Sequence, residues 1–115
     1  MLTLDQFLGQ DQRSAWLRHD EFKDLYVRKT ERFYGRKRVP TIDLATITAR
    51  KPGRGSFKRL VAYLRANYPA YALYVENVLS PRFADSLPRM GFTLDFRDAV
   101  MMPSFYLLPS VKRTP

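Results

Sequence analysis

The stretch from Thr41 to Val78 restricts the fold more than any other part of the chain. It runs from TIDLATIT through ARKPGRGSF into FKRLVAYLRANY and then YALYVENV. Phe57, Leu60, Val61 and Leu64 fall at i, i+3, i+4 and i+7, the stripe of a helix that lays one face on a sheet. Ser56 stands where an N-cap belongs, and Pro69 ends the pattern. YALYVENV is apolar at nearly every position, as a central strand covered on both faces would be. Two strands and a helix within about 38 residues form a βαβ unit, so the two strands run parallel.

The flanking segments fill out one α/β domain with a mixed central sheet. DLYVRKTERFY and VPTIDLATITA read as an antiparallel N-terminal hairpin turned by GRKR. Pro40 is tolerable near the entry of the return strand. Before the hairpin, Thr3 and Gln6 have capping-box spacing ahead of Leu4, Phe7 and Leu8, with Gly9 as the stop. A second short helix is expected over about residues 11–18, carrying Trp16 and Leu17. After the βαβ unit, Ser80 and Pro81 open a helix that buries Phe83, Leu87 and Met90 and stops at Gly91. Pro88 should kink or shorten it. FTLDF and SFYLLP end the fold as a strand pair, and SVKRTP reads as a frayed tail. The division expected is a reduced helical front (1–24), a core (25–108) and a tail (109–115).

Charge narrows the partners. Lys and Arg number 20 against 11 Asp and Glu, for a net charge of +9. A nucleotide cofactor, an acidic protein or nucleic acid would be attracted. The bases are clustered: no acid lies between Asp43 and Glu76, an interval holding Arg50, Lys51, Arg54, Lys58, Arg59 and Arg65. A second cluster, Arg28 to Arg38, reads as a decorated hairpin. The chain has no cysteine, so disulfides and thiolate metal sites are excluded. The lone His19 argues against a histidine-rich metal site and reads as a surface residue. No apolar run reaches the roughly 18 residues of a membrane span, and the N-terminus has no signal-peptide pattern. The expected location is the cytoplasm. Trp16 reads as a packing residue, and Tyr63, Tyr68, Tyr71 and Tyr74 as core-edge residues.

The glycine-rich turn carries the chemistry. A phosphate needs converging backbone N–H donors, and glycine lets it come close to them. Gly53 and Gly55, just ahead of a helix start, offer both the donors and the positive end of the helix dipole. The spacing fits neither a P-loop nor a dinucleotide fingerprint. What stands there is Arg50-Lys51-Pro52-Gly53-Arg54-Gly55, an R-x-x-G-x-G.

This resembles the pyrophosphate loop of the GNAT acetyltransferase superfamily, R/Q-x-x-G-x-G/A, which holds the diphosphate of acetyl-coenzyme A. In that family the loop follows the fourth strand, the next strand splays away to admit the pantetheine arm, and a short helix leads to a G-F pair. YALYVENV, SPRFADSLPRM and Gly91-Phe92 occur here in that order. The likeness covers roughly Tyr26 to Leu108, and the chain looks most like the short acetyltransferase-like proteins of tailed phages. The resemblance implies acetyl-coenzyme A as co-substrate and an amine, in some cases on a protein, as acceptor. Backbone N–H groups of Gly53, Arg54, Gly55 and Ser56 would take the diphosphate. Arg50, Lys51, Arg54 and Lys58 would add charge. The strand end at Ile47, Thr48 and Ala49 would pair with pantetheine amides.

The family pattern N-x-x-A-x-x-L-Y-x-x-x-G-F, counted back from Gly91, puts Ser80 at the Asn position and Leu87 at the Tyr position, so the usual general acid is missing. Ser80, Tyr74 and Tyr106 are the substitutes available. Glu76 is the candidate base, with Asn77 beside it to order a water or an amide, and Asp43 is a weaker candidate base. The front is short where family members build the acceptor side. The rival reading is therefore a GNAT-like fold without chemistry that works by binding, as a phage protein engaging a host protein does. A basic nucleic-acid-binding module is a third reading, resting on charge alone.

Overall fold

In the computed structural model, which describes residues 1–96 and 102–110, the chain forms a seven-stranded mixed sheet and three helices. The elements are β1 (Leu2–Thr3), α1 (Leu4–Leu8), β2 (Ser14–Arg18), β3 (Phe22–Tyr34), β4 (Lys37–Ala49), α2 (Ser56–Asn67), β5 (Ala72–Val75), α3 (Pro81–Arg89), β6 (Thr93–Leu94) and β7 (Phe105–Leu107). Strand order is β1-β2-β3-β4-β5-β7-β6. β4 and β5 are parallel across the α2 crossover, as the 41–78 pattern requires, and β3 and β4 are the antiparallel hairpin. Its loop is only Gly35-Arg36, shorter than the GRKR turn expected.

Register sorts the side chains onto two faces. Leu25, Val27, Ile42, Leu44, Leu73, Val75, Phe105 and Leu107 share one face and join a single core with Leu60, Val61 and Leu64 of α2, Leu87 of α3, and Leu4 and Phe7 of α1. All three helices therefore cover one side. Each such side chain contributes roughly 2 kcal/mol by leaving water. The opposite face carries Trp16, Tyr26, Arg28, Thr30, Arg32, Tyr34, Thr41, Asp43, Tyr74 and Tyr106, and among the described residues no helix packs on it.

Several local expectations are corrected. Residues 14–18 are a strand, not a helix: Ala15 and Leu17 point to the core side while Ser14 and Trp16 point away, and pairing with β3 outweighs any local helical preference. The front is thus a strand, a five-residue helix and a strand rather than two helices. Trp16 is not a core residue but is 52% exposed. Gly55 rather than Ser56 is the N-cap of α2. Pro88 falls one residue before the end of α3, where the lost hydrogen bond interrupts no further turn. The Thr3–Gln6 capping box forms as expected. Of the tail, residues 111–115 lie outside the described residues.

Candidate functional site

β4 ends in a fork. Its pairing with β5 runs from Thr41↔Ala72 to Leu44↔Val75 and then stops, with Glu76 N–H reaching Leu44 O at 3.4 Å. β4 continues to Ala49, still paired with β3. The cause is local. Tyr26 pairs with Thr46 and Val27 with Leu44, leaving Ala45 as a bulge at the point where β5 departs. A bulge bends its strand and increases its twist. On the other prong, Asn77 adopts φ 49° and donates its N–H to Ser104 Oγ (3.1 Å), while Val78 N–H reaches Pro103 O (2.8 Å). The chain after β5 follows the segment before β7 and leaves β4. The β5-side edge of Ile47, Thr48 and Ala49 has no strand partner among the described residues.

The long prong leads into the glycine turn. Gly53 (φ 80°) and Gly55 (φ 79°) hold left-handed backbone that a side chain would strain. Arg50, Lys51, Arg54 and Lys58 are exposed around them. Helix α2 begins with no side-chain cap and no acid in its first turn. An acid nevertheless stands there. Glu21, from the β2–β3 connection, accepts from Ser56 Oγ (3.3 Å) and from Arg59 Nε (2.8 Å) and Nη2. Arg50 N–H donates to the Glu21 carbonyl, and Glu21 N–H donates to His19 Nδ1, which ties the segment down. The Arg59 hydrogen bond, together with its charge and the Ser56 hydroxyl, holds the Glu21 carboxyl below its usual range. Arg59 also lies across Gly55, with Nη1 3.2 Å from where a Cβ would sit. Beside the turn, then, is an internal ion pair on the arginine side of the first helical turn.

In the angle of the fork sits a second charged group. Asp43 is buried, and its Oδ2 accepts from Arg32 Nη2 at 2.8 Å with Arg28 Nε at 3.7 Å. Arg28 also bridges to Glu76, and Arg32 reaches Glu76 at 3.5 Å. Burial and the hydrogen-bonded Glu76 carboxyl push the Asp43 carboxyl up to about 7, against the pull of Arg32. Glu76 goes the other way: its own burial raises it, but Asp43 and the two guanidiniums outweigh that and hold it low. The two carboxyls are thus pushed apart, Asp43 up and Glu76 down. Asp43 Oδ1, Thr30 Oγ1 and Arg32 Nε are buried there with no hydrogen-bond partner among the described residues.

The remaining candidates divide. Glu76 and Asp43 are together, and Tyr74 lies directly opposite Asp43 in the register. Its hydroxyl is committed to Asp95 Oδ2 at 2.6 Å, and burial, first, raises its pKa. Tyr106 stacks on Tyr34 (5.0 Å between centroids) and sits two strands from Asp43, roughly 10 Å away. Ser80 serves as the N-cap of α3, accepting from Phe83 N–H, and Leu87 is fully buried. Asn77 is exposed and turns the chain with its φ of 49°.

Nothing matches. No family model, curated protein or solved structure corresponds to this chain.

Two surface grooves are found among the described residues, and the second reaches Arg28 and Thr30 of the carboxyl cluster. One of about 440 Å³ is bordered by Asp5, His19, Asp20 and Tyr63. The other, about 820 Å³, is bordered by Arg13, Lys29, Glu31 and Arg38 among others. Tyr63 and Tyr68 both donate to Asp5, at 2.5 and 2.7 Å, which makes them anchors of α1 on α2. Among the described residues no group of three His, Cys, Asp or Glu could hold a metal, and no helix is long and apolar enough to cross a membrane. The sequence pointed to Glu76 but not to Glu21. Glu21 lies 35 residues before Ser56, and no periodicity links the two.

Proposed function

We propose that this chain is a GNAT-like protein that binds acetyl-coenzyme A at the β4–α2 turn and acetylates an amine. The observation that carries the reading is the fork: β5 leaves β4 after Leu44, while β4 runs on through an unpaired edge into an R-x-x-G-x-G turn and an uncapped helix start. Loop, splayed strand and following helix stand in the order the family resemblance predicts. A linear amide-bearing arm would hydrogen-bond along Ile47–Ala49, and its diphosphate would meet N–H groups of Gly53 to Ser56 with the α2 dipole behind them. Arg59 would leave Glu21 for the phosphate.

A thioester entering the fork would end near Asp43 and Glu76. Together they would accept the proton of the attacking amine. The amine nitrogen bonds to the acetyl carbon, and the C–S bond breaks. The thiolate then leaves with a proton from water, since the Tyr74 hydroxyl is committed to Asp95, Ser80 caps α3 and Tyr106 stands two strands from Asp43.

The placement of these three hydroxyls favours the second reading, binding without transfer. A thermal shift with acetyl-coenzyme A separates the cases. At 100 times its dissociation constant the ligand adds about 2.7 kcal/mol to stability. Gly53→Val should abolish that shift, because φ 80° is costly for a branched residue, and the fold should survive because the space around the position is open. No shift for the wild-type protein would end the acetyl-coenzyme A reading. A shift without thioester loss over a panel of amines and lysine peptides would select the binding protein.

A further inference from the structure

The face of the sheet without helices has its own composition, and it does not depend on the acyl-transfer reading. Trp16, the only tryptophan, is 52% exposed there and leans on Tyr26 with centroids 4.9 Å apart at 44°. The Arg28 guanidinium lies over the same Tyr26 ring at 5.8 Å, and that of Arg32 lies over Tyr74 at 3.7 Å. The charges are layered. The carboxylates of Asp43 and Glu76 lie beneath, with side chains 1% and 18% exposed, while those of Arg28 and Arg32 above them are 37% and 28% exposed. Toward solvent this patch therefore presents guanidinium and aromatic surface with its acids turned inward. Lys37 continues it toward the hairpin tip, opposite Tyr34 in register. Among the described residues the other acids on this face are Asp24, which pairs with Thr48 at the other end of the strand, and the buried Asp95, which accepts from the Tyr74 hydroxyl. From Tyr26 to Tyr34 the β3 backbone spans roughly 26 Å.

Aromatic rings flat enough to stack, spaced by cations along one strand, fit one chemistry well. Bases of single-stranded nucleic acid stack on aromatic side chains whatever their sequence, while the phosphates run past basic groups. A duplex offers no unstacked base to Trp16, and the acidic side chains of a peptide carry no aromatic ring to stack on it. The net charge of +9 supplies long-range attraction. We infer that the helix-free sheet face, centred on Trp16, Tyr26 and Arg28, binds single-stranded nucleic acid by stacking and phosphate contact.

Trp16 is its own reporter. Titrating the wild-type chain with an oligothymidylate of about twelve nucleotides should quench its emission, a length within the range of single-strand sites. Affinity should fall with salt with a log–log slope of about −2, from three phosphate contacts at about 0.7 each. With a labelled oligonucleotide read by anisotropy, Trp16→Ala should weaken binding about tenfold or more without changing the slope. Lys37→Gln should make the slope shallower by about 0.7 with a smaller loss of affinity. Trp16 is exposed, so its removal leaves the core intact, and circular dichroism of the variant verifies that. Three outcomes would overturn the inference: binding without quenching, a Trp16→Ala variant that binds like wild type, or equal competition by polyglutamate. Quenching that instead follows protein concentration without oligonucleotide would mean that a second copy of the chain covers this face.

Discussion

Two of the carboxylate–guanidinium sites stand near the fork, and they behave differently because water reaches them differently. Glu21 and Arg59 meet at the surface, beside the glycine turn, where solvent screens the pair and both partners are free to exchange it for a stronger ion. Asp43 and Glu76 meet Arg28 and Arg32 beneath the fork, where burial makes each charge costly alone and the group responds as a unit. The first is a latch at the start of α2. The second is a buried cluster in which the Asp43 carboxyl is pushed up to about 7. In the proposed reading a diphosphate would compete with the first, whereas the second would take up a proton.

The largest effect should come from breaking the buried site. Arg32→Leu strips Asp43 of its 2.8 Å donor and Tyr74 of its covering cation. Urea unfolding should show a loss of about 3 kcal/mol at pH 8. The loss should shrink at pH 5, where Asp43 takes a proton and no longer needs a partner. A loss that does not depend on pH would mean that Arg32 acts by packing alone.

Asp43→Asn sharpens the same contrast with a smaller change. The folded carboxyl titrates near 7 against 3.8 in the unfolded chain, so its contribution to stability is complete below pH 4 and is lost as pH rises through 7. Asparagine resembles the protonated form and removes that loss. The variant should therefore gain on wild type between pH 5 and 8 by an amount on the order of 2 kcal/mol, read as a difference of melting curves. A constant difference would show that Asp43 does not titrate in this range. In the acyl-transfer reading the same change should abolish the neutral-pH limb of the rate profile.

How far the sequence foretold this arrangement depends on the range of the interactions. The α2 stripe, the 41–78 crossover and the Thr3–Gln6 box are local patterns, and local patterns survive folding when tertiary contacts agree with them. β2 is five residues long, too short for its alternation of Ala15 and Leu17 against Ser14 and Trp16 to stand out. Its partner, β3, decided the matter. The fork depends on a one-residue bulge at Ala45, and nothing in TIDLATIT marks that residue. Arg28 meets Glu76 across 48 positions, so the cluster was invisible even though each acid was conspicuous as a charge in an apolar strand. The bases at Arg28 and Arg32, four apart on a strand, share a face, and that spacing was the available clue. For the hairpin cluster the solvated reading holds at Arg36 and Lys37, but not at Arg28 and Arg32.

Glu21→Gln tests the latch, and its effect on stability should be the smallest. Arg59 is exposed and Glu21 half-buried at the surface, so the melting temperature should barely move. Its effect on binding should have the opposite sign to those of the buried site: removing the Glu21 carboxylate that stands beside the first turn of α2 frees Arg59 and the helix dipole, and acetyl-coenzyme A should bind a few-fold more tightly. The wild-type affinity should also rise as pH falls through the depressed titration of Glu21, which is lost in the variant. A variant that binds the ligand no better at any pH would place the diphosphate elsewhere than the α2 start. Loss of folding in this variant would instead show that the Glu21 contacts to Ser56 and Arg59 hold the β2–β3 connection against the helix, making the acid a strut rather than a gate.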